Sequence, residues 1–225
     1  MLVVVVRIVT LVVVAVTDPS KGARGTSAFV VEAPAEGLVF LPEEKKMGLK
    51  ASITSGVAFE DCRVPAENLL GEEGMGLKIA LQTLDASRIG IAAQALGIGQ
   101  GAFEEAVRYS KERQTFGKPL CEHQAIQFML AESATALDAA RLLTYRAAAL
   151  KDASSPSLGL ASSMAKLYAS EAAKQVCDAA VQVHGAYGYS REYAVERFYR
   201  DVRVTTIYEG TSEAQRMVIA KALLR

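Results

Sequence analysis

Between about residue 75 and residue 184 the chain offers only two places where a helix has to stop. One is "RQTFGKPL", where Gly117 and Pro119 cannot sit inside a helix at low cost; the other is "DASSPS". The remainder repeats Ala, Leu, Ile and Gly at helical spacing. The pattern predicts one helix running to Arg113, with a break or kink near Asp85–Ser87. A second runs from about Glu122 to Lys151. A third runs from about Leu158 to His184, stopped by Gly185 and Gly188. A shorter helix over Glu192 to about Arg203 follows, and a fifth begins at Ser212. Long helices joined by short loops must lie antiparallel, as an up-down bundle. Ala92, Ala93, Ala95, Gly97, Gly99 and Gly101 are expected on its buried stripes, where small residues let helix axes approach closely.

Upstream the period differs. "TDPSKGARG" reads as a loop, "TSAFVVEA" and "SGVAFEDCRV" as strands, and "PAENLLGEEGMG" as a junction of turn formers. The valine-rich "MLVVVVRIVTLVVVAV" is shorter than the ~20 residues of a spanning helix and is interrupted by Arg7. It has neither a basic n-region nor a small-x-small cleavage site. Branched side chains favour a pleated surface, so one long or two short buried strands are expected. The fold class is therefore α+β, mainly α. A partial β-sheet or barrel remnant spans 1–64, a linker 65–74, and a helical bundle 75–225.

Lys and Arg number 25 against 25 Asp and Glu, a balance that gives no support to nucleic acid as a partner. Cys62, Cys121 and Cys177 are odd in number and far apart, which fits a reducing, cytoplasmic compartment. With only His123 and His184 in the chain, no metal site is expected.

"TTIYEGTSEAQRMVIAKALL" sets a carboxylate, Glu209, between an aromatic and a glycine just ahead of the last helix. Thr211 and Ser212 are candidate N-caps, Ser212-x-x-Gln215 fits a capping box, and Glu213 lies in the first turn, where an anion is favoured. Glu209 has no local structural task. A solvated loop glutamate is the plain alternative.

Four motifs occur in order: "TLDASRIGIAAQALGIGQGA", "KERQTFGKPLCEHQAIQ", "VQVHGAYGYSREYAVERFYRD" and "IYEGTSEAQR". Together they resemble the C-terminal helical domain of the acyl-CoA dehydrogenases, nearest the short-chain (butyryl-CoA) type. The preceding strands resemble the second half of that family's middle β-domain, so the resemblance covers about residues 17–225. It implies an FAD-dependent oxidoreductase of fatty-acid β-oxidation that converts a short-chain acyl-CoA to a trans-2-enoyl-CoA. It also implies an electron-transfer flavoprotein as acceptor, a homotetramer, and the bacterial cytoplasm or the mitochondrial matrix.

By resemblance Glu209 is the catalytic base, taking the α-proton of the thioester while the β-hydrogen leaves as hydride to N5 of FAD. Such a proton is only weakly acidic. A base for it needs an apolar pocket, and the carbonyl oxygen needs hydrogen-bond donors. One implied donor is the backbone N–H of Glu209, with Gly210 lining the substrate. Isovaleryl- and long-chain-type members carry the base at the position of Ser87, so a serine there fits the short- or medium-chain arrangement. Asp85 and Arg88 match contacts to the CoA side; a helix-surface ion pair is the alternative. Arg113, Thr115, Phe116, Gln124 and the run Gln182, Val183, His184, Gly185 and Ala186 match the part of the FAD site that reaches a neighbouring subunit. Thr211, Ser212 and Glu213 match contacts to the chain's own FAD. Without the resemblance, the glycines read as helix C-caps and His184 as a capping histidine.

The family's "TEPxAGSD"-like and "WITN"-like motifs have no counterpart here, and residues 1–16 align with nothing in it. A truncated form with impaired activity is expected, lacking the half of the site that grips the isoalloxazine. A non-catalytic helical oligomerisation module of the same descent is the alternative function.

Overall fold

The computed structural model describes residues 2–4 and 10–224. Two compact units divide inside the first long helix, Met1–Leu84 and Asp85–Arg225.

The first unit holds two antiparallel three-stranded sheets. Strands β1 (Leu2–Val4), β5 (Thr54–Phe59) and β4 (Leu38–Glu43) form one, in the order β1-β5-β4. Strands β2 (Thr10–Val16), β3 (Thr26–Glu32) and β6 (Leu69–Leu70) form the other, in the order β2-β3-β6. Register along β2 and β3 is unbroken from Thr10↔Glu32 to Val16↔Thr26. Asp18 sets the turn between them, accepting from Ser20 N at 3.0 Å and pairing with Lys21 at 2.8 Å.

The valine-rich start thus contributes to both sheets; residues 5–9 lie outside the described ones. The expectation that it is buried does not hold for β2, where Leu11 is buried but Val12 and Val16 are exposed. A run of valines satisfies strand propensity on either face, so composition alone does not say which face is covered. Strand β4 has no counterpart in the sequence reading. It carries Pro42, which cannot donate to a ladder, and its register against β5 shifts between Phe40 and Glu43.

The expected linker is stitched into the second sheet. Leu69 and Leu70 pair with Phe29 and Ala28, and Asn68 Nδ2 donates to Val30 O at 2.9 Å. At the start of helix α1 (Gly76–Glu112), Thr26 Oγ1 on β3 accepts from Leu77 N at 3.0 Å. Gly76 is required at this approach, since a Cβ there would lie 2.7 Å from Ser27 C.

The second unit is the up-down bundle. It continues α1 and adds α2 (Gln124–Asp152), α3 (Leu158–His184), α4 (Val195–Val202) and α5 (Ser212–Leu223). Helix α1 runs without the break expected near Asp85–Ser87. There Asp85 pairs with Arg88 one turn on, and Ser87 Oγ donates to Glu209 Oε2. "RQTFGKPL" is a hairpin, β7 (Gln114–Thr115) and β8 (Lys118–Pro119), turned by Phe116 at φ 53° and Gly117 at φ 80°.

Helix α3 packs against α2, α4 and α5. Its Ala161, Ala165, Ala169, Ala173 and Cys177 repeat every four residues and are all buried. A Cβ on Gly99 of α1 would stand 3.0 Å from Leu137 Cδ2 and 3.1 Å from Ala173 Cβ, so glycine sets the helix spacing there. Ala92, Ala95 and Gly99 lie on the buried stripe as expected, but Ala93 and Gly97 are exposed. No described helix is long and apolar enough to cross a membrane. Among the described residues no group of three His, Cys, Asp or Glu could hold a metal ion.

Candidate active site

A 3₁₀ turn, Arg203–Thr206, ends two residues before the corner that carries Glu209. Glu209 at φ 55° and Gly210 at φ 87° occupy left-handed backbone in succession. For glycine this is free. For glutamate it costs on the order of 1–3 kcal/mol and persists only where the surroundings enforce it.

Two fully buried side chains do the enforcing. Gln215, one turn into α5, donates Nε2 to Glu209 O at 3.2 Å and to Gly210 O at 3.0 Å. Lys166 on α3 donates Nζ to Gly210 O at 2.7 Å. A Cβ on Gly210 would lie 2.5 Å from Gln215 Nε2 in left-handed backbone, so a larger residue there is strained and displaces the glutamine. Upstream, Tyr208 donates its hydroxyl to Gln94 Oε1 on α1, and burial pushes its phenol up to about 12. The Glu209 carboxylate is half-buried and accepts at Oε2 from Ser87 Oγ at 2.5 Å.

Arg88 lies beside this corner with its side chain 8% exposed. It donates to Asp85 Oδ1 at 2.7 Å and Ser163 Oγ at 3.2 Å, while its buried Nε has no partner among the described residues. The alternative of a helix-surface pair therefore fails for Arg88, whose guanidinium is enclosed between α1 and α3. Burial, reinforced by Arg88, pushes the Lys166 ammonium down to about 8.

The structure thus brings Asp85, Ser87, Arg88, Glu209 and Gly210 to one place. The start of α5 adjoins it with a corrected cap. Thr211 is the N-cap, its hydroxyl accepting from Ala214 N at 3.2 Å. Ser212 is inside the helix and buried, and its hydroxyl donates to Glu171 Oε1 at 2.7 Å. The Ser212–Gln215 capping box does not form, because Gln215 is turned back onto the corner carbonyls. Ser212 also has no hydroxyl proton left for a cofactor. Glu213 is exposed in the first turn, and its carboxyl is held below the usual range by backbone N–H groups and Thr211.

The other predicted residues gather elsewhere, where the far end of α1 meets the end of α3. Arg113 is exposed, its guanidinium over the Tyr187 ring at 5.7 Å. Thr115 Oγ1 lies 3.2 Å from His123 Nε2, and Phe116 at the hairpin tip is 97% exposed. Gln124 is the exposed first residue of α2. Gln182, Gly185 and Ala186 are exposed, whereas Val183 and His184 are buried. Gly185 does end α3, at φ 59°. The His184 ring stacks on Tyr109 with centroids 4.1 Å apart and donates Nδ1–H to Ala180 O at 2.8 Å. Its Nε2 is buried without a partner among the described residues, and burial holds its pKa below the ordinary 6.5.

Lys166, Gln215, Ser163 and Gln94 are site residues that the sequence reading did not single out. One signal was available for Lys166. It lies in phase with Ser162, Ser163 and Ser170 on the buried side of an alanine-rich helix, where a lysine has no business being solvated.

Residues 74–224 match the family described as acyl-CoA dehydrogenase, C-terminal domain. The chain is 56% identical over 214 residues to the short-chain specific acyl-CoA dehydrogenase, mitochondrial, of Rattus norvegicus, covering 95% of this chain and 52% of that protein. It is 52% identical over 214 residues to the caffeyl-CoA reductase-Etf complex subunit CarC of Acetobacterium woodii, covering 95% of this chain and 56% of that one. Among solved structures it superposes on butyryl-CoA dehydrogenase from Megasphaera elsdenii with a TM-score of 0.94 at 50% identity, over 96% of this chain and 56% of the other. The chain spans about half the length of the curated relatives it matches.

Proposed function

The chain belongs to the acyl-CoA dehydrogenase family, and on that premise we propose that it serves an FAD-dependent α,β-dehydrogenation of short-chain acyl-CoA, with Glu209 as base. The observation that carries this is the corner itself. A glutamate is held in left-handed backbone by two buried donors, with its carboxylate pinned at one oxygen by Ser87. Strain of this kind has no use in a solvated loop. Because Ser87 occupies Oε2, the α-proton is received at Oε1. The Glu209 backbone N–H is the donor proposed for the thioester oxygen, which gathers charge as the proton leaves. Arg88 and Asp85 bear the CoA side, Gly210 lines the acyl chain, and the short-chain assignment is supported by the rat relative.

The outer cofactor residues fit FAD in their chemistry. An exposed guanidinium at Arg113, the hydroxyl of Thr115 and a bare aromatic at Phe116 suit a diphosphate and an adenine. Gly185 leaves open space where a Cβ would stand, so backbone can approach a ligand. Ser212 is the exception, and only its backbone N–H remains for that role. FAD, when bound, supplies the acceptor for the hydride leaving the β-carbon. An electron-transfer flavoprotein is the proposed acceptor of the electrons; the Acetobacterium relative is itself named for an Etf complex.

Butyryl-CoA added anaerobically to the flavin-loaded protein should bleach the flavin absorbance, and Glu209→Gln should remove the bleaching while flavin remains bound. Bleaching retained in that variant would exclude Glu209 as the base. A protein that takes up no flavin at all would instead point to a helical oligomerisation module.

A further inference from the structure

Lys166 is the largest wholly buried side chain of the described residues. A buried ammonium is costly unless paired, and here the pairing is incomplete. Arg88 faces it from α1. Opposing that charge are Glu171 on its own helix, Glu209 on the corner and Glu213 on α5, and none of the three makes an ion pair with it. Its hydrogen bond goes to a neutral carbonyl, Gly210 O, which Gln215 Nε2 already satisfies at 3.0 Å. The fold would lose little if an apolar side chain of the same length stood there. A costly group with no task in stability, placed against a strained backbone, points to function.

We propose that Lys166 is a positioning residue: its ammonium clamps the Gly210 carbonyl from the α3 side and locks the Glu209–Gly210 corner in the geometry that sets the carboxylate against Ser87. Gln215 and Lys166 approach that oxygen from different helices, so together they fix the orientation of the peptide plane where one donor would leave it free to rock. The name of what is positioned rests on the proposed function, but the clamp does not.

Charge state gives a signature that a packing role lacks. The folded lysine titrates near 8, below its ordinary 10.5. Between those values the unfolded chain binds more protons than the native one. The stability cost of Lys166 is therefore fully present below about pH 8 and is relieved as pH rises towards 10.5. The clamp behaves oppositely, since its charge-assisted hydrogen bond weakens as the proton leaves.

Amide hydrogen exchange on the full chain reads the clamp directly, with rates divided by the intrinsic rate at each pH. The reporters are Tyr208 N–H, bonded to Val204 O, and Ala214 N–H, bonded to Thr211 Oγ1. Lys166→Met should lower protection at both by about tenfold while leaving the Tm at pH 7 unchanged or higher. Wild-type protection there should fall as pH rises from 7 to 9. Lys166→Met should show no such fall, and Lys166→Arg, which does not titrate in this range, should keep the wild-type pH 7 protection at both pH values. Unchanged protection in Lys166→Met would overturn the proposal, as would a lower Tm with protection lost along all of α3. The wild-type pH series needs no variant, so it decides even where a variant fails to fold. Failure of butyryl-CoA to bleach flavin in the wild type would sink the enzymatic reading and leave the exchange result standing.

Discussion

Ser87 Oγ and Glu209 Oε2 meet at 2.5 Å across 122 residues of chain. The helix that carries Ser87 and the corner that carries Glu209 thus share one hydrogen bond between a neutral donor and a carboxylate. Such a bond is worth roughly 1.5–3 kcal/mol where water is excluded, and its removal frees the carboxylate to rotate. Ser87→Ala should lower kcat for butyryl-CoA by about tenfold, the equivalent of ~1.4 kcal/mol, with little change in KM. Glu209→Gln should cost about a hundredfold or more, because it removes the proton acceptor rather than its orientation. Single-turnover flavin bleaching measures both. A Ser87→Ala variant with wild-type kcat would show that the corner alone orients the base.

Gly210→Ala tests the backbone. Left-handed geometry costs an alanine about 1–2 kcal/mol. The new Cβ would also stand 2.5 Å from Gln215 Nε2 and displace its two hydrogen bonds. Thermal unfolding should shift down by several degrees, and more than for Gly90→Ala, where the added Cβ meets nothing within 4 Å and the site is helical. Equal Tm values for the two variants would mean that the corner tolerates a side chain and is not strained.

His184 gives a pH dependence of stability of the same sense as the cost of burying Lys166, but in a lower pH window. Burial holds its folded pKa below 6.5, and the partnerless Nε2 offers a proton no acceptor. Below about pH 6.5 the unfolded chain takes up that proton first, so stability is full above this value and is lost as pH falls through it. Chemical denaturation at pH 7.5 and 5.5 should show a drop that His184→Phe reduces, since the replacement keeps the stack on Tyr109 and cannot titrate. An undiminished drop in that variant would assign the acid sensitivity to other groups.

Legibility in the sequence followed how local the physics was. Helix α3 was bounded correctly because Pro156 and Gly185 punctuate it on either side. The hairpin at Phe116–Gly117 was marked by glycine and proline. The start of α1, expected at about residue 75, falls at Gly76, but the acceptor of its Leu77 amide is Thr26, fifty-one residues upstream, which local sequence does not reveal. The break or kink expected near Asp85 does not end the helix, and the contact of Ser87 with Glu209 spans 122 residues, beyond what local sequence shows. Glu209 was singled out by resemblance and by having no local task. Lys166 and Gln215 were missed because a helical lysine is ordinarily solvated and a glutamine three residues after a serine ordinarily caps.

Assembly is the remaining expectation, and α2 supplies its physical ground. Phe128, Leu142 and Tyr145 are 57%, 64% and 65% exposed on that helix. Residues 128 and 142 are four helical turns apart and 145 follows one turn later, so the three lie along one side. Large apolar side chains aligned this way suit the surface that the proposed neighbouring subunit would cover. Phe116, 97% exposed at a hairpin tip with φ 53°, is a second aromatic held into solvent at a backbone cost. Sedimentation at micromolar concentration should give a homo-oligomer, with the tetramer of the proposed enzyme as the expected mass. Leu142→Glu places a charge in the middle of the α2 stripe and should reduce the mass while leaving the helical signal intact, because the side chain is mostly exposed and lies outside the core cluster of the described residues. A well-folded monomer from the unaltered protein would remove the neighbour that the Arg113–Phe116 and Gln182–Ala186 residues are proposed to serve.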